Sequence, residues 1–381
     1  MAKLSPSLQL RIKSLLPGDS IEVFVVLKSK EELKEDFRLK LAYKEGNIYR
    51  TKLGTNELVA IANHTEVVFI NEAHSPKEEL NTGSVDYTLN RITTAHHIYP
   101  EIRGDSIFLS FKERAYDTSD IDIKGRQFLT GAEAPLTTVH ANVMATIVAG
   151  AGNSSPYTMG VAPSAFVSSA NFANLFPEPD AFYRDKSISV QNHSYGTLIE
   201  NFYGAEAMAY DVSAVNNPKL VQVFSAGNSG TLSASSGAYA NVSAMANLTG
   251  NFKHSKNTIA VAALDSFGLP MIAASRGPAY DGRVKPELAA YGEDGSSGAA
   301  ALVSGSAALV QDAFKKRAGS LPTSDLVKAV LINSADDVGA TGIDFLTGYG
   351  SLNTYKAVQT IKQATCFQGN VTQNELRIFP L

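Results

Sequence analysis

The stretch GEDGSSGAAALVSGSAALV, Gly292 to Val310, decides how this chain is read. It carries four serines and no charge after Asp294, and across Gly298–Leu309 only Leu302, Val303 and Leu309 are large. A helix this small on every side is buried and closely approached by its neighbours. Ser296 and Ser297 stand at its expected start. A serine there serves as an N-cap. It serves equally as a nucleophile, because the unpaired N–H groups and the positive end of the helix dipole favour developing negative charge. The stretch alone leaves both readings open.

The rest of the composition narrows the field. A chain of 381 residues accommodates two domains, or one large domain and a small one. A net charge of −4, with 44% hydrophobic and 18% charged residues, describes an ordinary globular protein and lacks the basic surplus of a nucleic-acid binder. No apolar run reaches the length of a membrane span, so no membrane partner is expected. The opening MAKLSPSLQL contains no apolar secretory segment. Cys366 is the single cysteine, which excludes an internal disulfide and a cysteine-based zinc cluster.

Two textures divide the chain. Residues 1–80 read as a small α+β unit: a strand at Ile21–Lys28, a charged helix at Glu31–Leu41, a strand at Asn47–Leu53, a helix at Thr55–His64 with a partial cap at Thr55, and a strand at Thr65–Ala73. The order is read as that of a β-α-β-β-α-β ferredoxin-like unit, of which three of the four strands are legible. His74–Ser84 reads as an exposed linker. From Gly104 onward apolar strands alternate with Ala- and Gly-rich helices, the pattern of βαβ units around a mostly parallel sheet, and this domain is expected over 81–365. The tail 366–381 reads as the start of something further.

Beside the serine stretch, two further constellations carry possible chemistry. His140 precedes a small apolar helix in TTVHANVMATIVAGAG, a place for a general base aimed into a cleft. His193 in VQNHSYG is a rival, and His96 and His97 lead into the second domain. In VFSAGNSG, Val223–Gly230, a strand ends in a turn that presents Asn228 at the C-terminal edge of the sheet. The turn alone explains Gly and Asn there. An amide at that edge also suits an oxyanion donor.

In this order the pieces resemble the subtilisin-like serine peptidase family. HANVMATIVAG lies under the family's HGTHVAGTIAG with His140 first, and GVAPSA (Gly160–Ala165) follows. SYG (Ser194, Tyr195, Gly196) matches the serine-x-glycine substrate strand, and SAGNSG matches the oxyanion motif AAGNSG at Asn228. SRGP (Ser275–Pro278) and DGRVKPEL (Asp281–Leu288) come next. GSSGAAALVSGSAAL lies without gaps under GTSMAAPHVAGAAAL, which sets the nucleophile at Ser297, and GYGSLN (Gly348–Asn353) closes the set. The resemblance spans about Leu89 to Lys362. It implies a subtilisin-like, doubly wound, mostly parallel α/β sheet behind the ferredoxin-like domain.

The departures are specific. The family's aspartate falls in GDSIFLSFKERA, Gly104–Ala115, at Glu113, and KGR (Lys124–Arg126) keeps the same register. Lys112 beside it is unusual for a strand buried on both faces, and either it pairs with a carboxylate or the strand end is exposed. Val143, Ala301 and Leu302 replace two histidines and a proline of the motifs, and only Glu293 and Asp294 remain of the hairpin before Gly295.

The resemblance implies a serine endopeptidase acting on proteins or peptides through Glu113, His140 and Ser297. Asn228 would serve the oxyanion and Ser194–Gly196 the substrate backbone. It implies an N-terminal domain that acts as intramolecular inhibitor, with cleavage near His74–Ser84, and a secreted or extracellular protein. No cofactor is expected. Calcium is common in the family, but no D-x-[DN]-x-[DN]-G loop assigns a metal here. A pseudopeptidase that binds peptides without turnover is the alternative. An esterase-type hydrolase is set aside, since no serine has glycine at both −2 and +2.

Overall fold

A computed structural model describes residues 3–16, 18–28, 43–78, 86–292, 294–369, 372 and 375–376. The chain opens with α1 (Pro6–Ile12), a helix the sequence reading did not anticipate, capped by Ser5 Oγ on the Leu8 N–H. β1 (Ser20–Leu27), β2 (Tyr43–Glu45), β3 (Ile48–Gly54) and β4 (Val67–Glu72) form an antiparallel sheet in the order β2-β3-β1-β4. That is the strand order of a ferredoxin-like unit. The helix expected at Glu31–Leu41 lies outside the described residues. α2 (Thr55–Asn63) is capped one residue earlier than expected. Gly54 is its N-cap, and the Glu57 carboxylate accepts the Gly54 N–H at 2.7 Å. Alternation along β1 and β3 buries Val23, Val25, Tyr49 and Leu53 against Leu8, Leu58 and Ile61 of the two helices.

A short strand, β5 (Lys77–Glu78), leads to α3 (Ile92–Ile98) and the larger domain. Its elements are β6 (Phe108–Glu113), α4 (Val139–Ala149), β7 (Phe166–Asn171), α5 (Asp180–Asp185), β8 (Ile188–His193), β9 (Tyr195–Gly196), α6 (Ala205–Asn216), β10 (Val221–Ser225), β11 (Ile259–Ala263), β12 (Leu288–Ala290), α7 (Ser296–Ala318), α8 (Ser324–Asn333) and α9 (Thr354–Lys362). Six of these strands make one parallel sheet in the order β12-β11-β10-β8-β6-β7. The order reverses beside β6, the first strand laid down, and such a switch point opens a crevice at the C-terminal ends of the strands.

The small-residue stretch becomes α7, and it runs through the centre of this domain. Every residue from Ser296 to Ala313 is buried, against β8, β10, β11, α4 and α9. A side chain at Gly305 would overlap Val161. The absence of bulk is therefore what lets the helix approach its neighbours. Among the described residues no helix is long and apolar enough to cross a membrane.

Candidate active site

The switch point is built from the last residue of β6. Alternation along the strand sends Lys112 and Glu113 to opposite faces, and both are fully buried. Lys112 Nζ pairs with the Glu178 carboxylate and donates to the Phe176 carbonyl at 2.6 Å. Lys112 thus has a carboxylate partner of its own, and it does not pair with Glu113. Glu113 Oε1 meets His140 Nδ1. His140 is the second residue of α4, whose start is fixed by Thr138 Oγ1 accepting the Ala141 N–H. Strand end and helix start converge because the connection from β6 to α4 returns to the sheet beside the strand that it left.

Ser297 sits in the first turn of α7. Its Oγ donates to the Ser194 carbonyl at 3.4 Å, and Ser194 Oγ donates back to the Ser297 carbonyl at 2.9 Å. Neither serine caps the helix: the N-cap is Gly295, at φ 77°, and Ser296 Oγ accepts the Gly227 N–H at 3.1 Å. The capping reading of these serines is thereby overturned. Asn228 Oδ1 accepts the Ser296 N–H at 3.1 Å. That bond commits the carbonyl end of the amide to the helix and leaves Nδ2 as its donor end. Glu113 thus meets His140, and Ser194, Asn228 and Ser297 gather at the start of α7.

One further side chain belongs to this group. Asp294, read in the sequence only as a remnant of a shortened hairpin, is 2% exposed, and its Oδ2 lies 3.9 Å from His140 Nε2. Its Oδ1 occupies the space that a side chain at Gly298 would fill. Burial pushes its carboxyl up to about 7, the nearby His140 and the Gly298 N–H pulling the other way. Nothing in the spacing marks Asp294. Its placement follows from Gly298, a single missing side chain one turn into the helix.

The other histidines stay apart. His193 stacks on Phe224 at 4.0 Å and meets Tyr195 Oη at 3.1 Å, and burial, with the cations of Lys112 and Lys253, holds its imidazole far below the usual range. His96 meets the Val161 carbonyl at 2.7 Å, and His97 is exposed. Among the described residues no group of three or more His, Cys, Asp or Glu side chains is placed to hold a metal.

Of the expected linker, residues 74–78 are described, and Lys77–Glu78 of these form the strand β5. β5 pairs antiparallel with β9, Lys77 opposite Gly196 and Glu78 opposite Tyr195. Behind it the N-terminal sheet packs Phe24, Val26, Ile48 and Phe69 on Phe176, Ala205 and Met208, with the Phe24 and Phe176 rings 4.6 Å apart edge to face. Asn71 Oδ1 accepts the Ala205 N–H at 3.3 Å, at the start of α6, and its Nδ2 donates to Glu206 at 3.0 Å.

Residues 111–350, well over half of the chain, match the subtilase family, and the chain belongs to it. This is a family of serine peptidases. Among solved structures, fervidolysin from Fervidobacterium pennivorans, a keratinolytic enzyme related to subtilisin, aligns at a TM-score of 0.63 and 18% identity over 91% of this chain and 62% of that one. The epidermin leader peptide processing serine protease of Staphylococcus aureus gives 0.61 at 15% identity, over 92% of this chain and 100% of that one. The prenylagaramide maturation protease PagA gives 0.55 at 20% identity, over 72% and 99%. At these identities the likeness shows the fold.

Proposed function

We propose that the protein is a serine endopeptidase working by acyl transfer at Ser297, with its N-terminal domain as an intramolecular inhibitor. The observation that carries this is the pairing of Glu113 with His140, whose Nε2 edge faces Asp294, packed against Gly298 beside Ser297 in the first turn of α7. Ser297 Oγ turns from the Ser194 carbonyl, gives its proton to His140 Nε2 and bonds to the scissile carbonyl carbon. Glu113 holds the proton on Nδ1, which fixes the tautomer and stabilises the imidazolium. The oxyanion is met by Asn228 Nδ2–H and the Ser297 N–H. His140 then protonates the leaving amine as the C–N bond breaks, and water, deprotonated by the same imidazole, releases the acid. None of these steps calls for a cofactor.

The pairing of β5 with β9 supports both the substrate strand and the inhibitory role. A two-residue edge at Tyr195–Gly196 accepts an extended chain by β-augmentation, and the N-terminal segment occupies that edge. An enzyme kept closed this way suits release outside the cell, and we place it there.

Exposure to a fluorophosphonate, read by intact mass, tests the reading. One adduct on the full chain, or on the chain nicked within 74–84, and none on Ser297→Ala is the expected result. A folded, nicked protein that takes no label would overturn it in favour of a peptide-binding module.

A further inference from the structure

Three carboxylates and a histidine meet where the N-terminal sheet packs on the larger domain, and the mechanism above makes no use of them. Glu72, the last residue of β4, and His74 come from one side. Glu200, between β9 and α6, and Glu206, in the first turn of α6, come from the other. Each of the three glutamates is at most 4% exposed. His74 Nε2 lies 3.3 Å from Glu200 Oε1 and 3.9 Å from Glu72 Oε2. Asn71, fully buried beside them, donates from Nδ2 to Glu206 at 3.0 Å.

Little positive charge faces this group. Arg11 of α1 reaches Glu72 at 3.2 Å with its own side chain 56% exposed. Glu200 Oε2 accepts from neutral donors, the Asn251 N–H at 3.0 Å and Thr197 Oγ1 at 3.1 Å. His254, which meets the Glu200 backbone, is uncharged, because burial holds its imidazole down to about 3. Three carboxylates taken out of water against one arginine and one histidine are costly to keep all ionised. Burial, with Glu200 nearby, pushes the Glu206 carboxyl up to about 7. Burial also raises Glu72, against the pull of His74 and Arg11. For His74 burial acts downward, but the bond to Glu200 and the charges of Glu200, Glu72 and Glu206 outweigh it, and the imidazole is raised. All three shifts point one way: the packed seam holds protons that its two halves, parted and wetted, release.

We propose that this seam is a proton-held latch, which fastens the N-terminal domain to the larger one while Glu72, His74, Glu200 and Glu206 share bound protons and lets it go as they are lost. The contribution of Glu72 and Glu206 is full below their ordinary value of 4.5 and is lost as pH rises through the raised one, about 7 for Glu206. That of His74 is full below 6.5 and is lost as pH rises through its raised value. Docking is therefore tightest in acid and weakest above neutrality. Release uncovers the Tyr195–Gly196 edge that β5 occupies. The inference rests on the inhibitory reading of the N-terminal domain and names what ends the inhibition.

The test uses the full chain carrying Ser297→Ala, nicked once within 79–84, so that contacts alone hold the two pieces together. Their dissociation constant, read by analytical ultracentrifugation, should rise by on the order of 10- to 100-fold from pH 5 to pH 8. Glu206→Gln keeps an acceptor for Asn71 and carries no charge. It should tighten the complex at pH 8 by about 10-fold and flatten the pH dependence. His74→Gln should loosen the complex at pH 5 several-fold. A dissociation constant that does not change with pH overturns the inference, and so does a Glu206→Gln form with the slope of its parent. If the nicked pieces do not stay folded, the intact chain decides. Exchange protection of the Ala205 amide, which donates to Asn71 Oδ1, should fall by a similar factor over the same pH range after correction for intrinsic exchange, and constant protection overturns the latch. None of these readouts needs turnover. A chain whose Ser297 takes no fluorophosphonate label fails as a peptidase, while the latch stands or falls on its own measurements.

Discussion

The end of β6 and the turn before α7 set a carboxylate on each edge of one imidazole, and the two carboxylates differ in every respect that matters. Glu113 is the last residue of a central strand, in contact with His140 Nδ1. Asp294 belongs to a tight turn, 3.9 Å from Nε2, and burial raises its carboxyl to about 7. In the proposed reaction Glu113 holds a proton on Nδ1 of the ring. Asp294 is buried so that its charge is costly, on the Nε2 edge of the ring.

The largest test of that difference is Glu113→Gln. It keeps the shape and removes the charge that fixes the tautomer, and kcat/KM should fall by about 10⁴-fold with folding intact. A fall below 10-fold would give the ring-orienting role to another group. Asp294→Asn should act on stability. The folded carboxyl binds its proton up to about pH 7, while the unfolded one releases it near its ordinary value of 3.8. Between those values the folded state holds more protons, so stability falls as pH rises through the window. The asparagine form should lose that slope and be more stable at pH 8 by up to about 4 kcal/mol in urea unfolding. An unchanged slope would show that Asp294 is not held neutral by the fold. The smallest effect belongs to Gly298→Ala. Alanine in a helix normally stabilises by about 1 kcal/mol. Here its Cβ would overlap Asp294 Oδ1, so a loss of about 1–3 kcal/mol is expected, shrinking in an Asp294→Ala background.

What the sequence disclosed follows the same division. Glu113 ends a strand, His140 and Ser297 start helices and Asn228 lies in the turn after β10, where period and punctuation are visible, and their order along the chain carries the family's pattern. The alternating strands foretold the parallel sheet, and three of the four strands of the small domain were legible. β2, of three residues, and α1 were too short to show a period. The cap of α2 was misplaced by one residue because Gly54 has no side chain to announce it, while Glu57 supplies the bond. Asp294 was not legible because it is defined by what surrounds it in space. Lys112 posed a question that only Glu178, 66 residues away, could answer.

The proposed nucleophile, Ser297, rides on α7, a helix buried over its first eighteen residues from Ser296 to Ala313. Amide protons along that helix should therefore exchange with solvent only when the whole domain opens, because no smaller fluctuation frees them. Loss of activity on warming would then track cooperative unfolding, with no earlier phase in which the site frays while the body survives. The working lifetime of such an enzyme is the lifetime of its core.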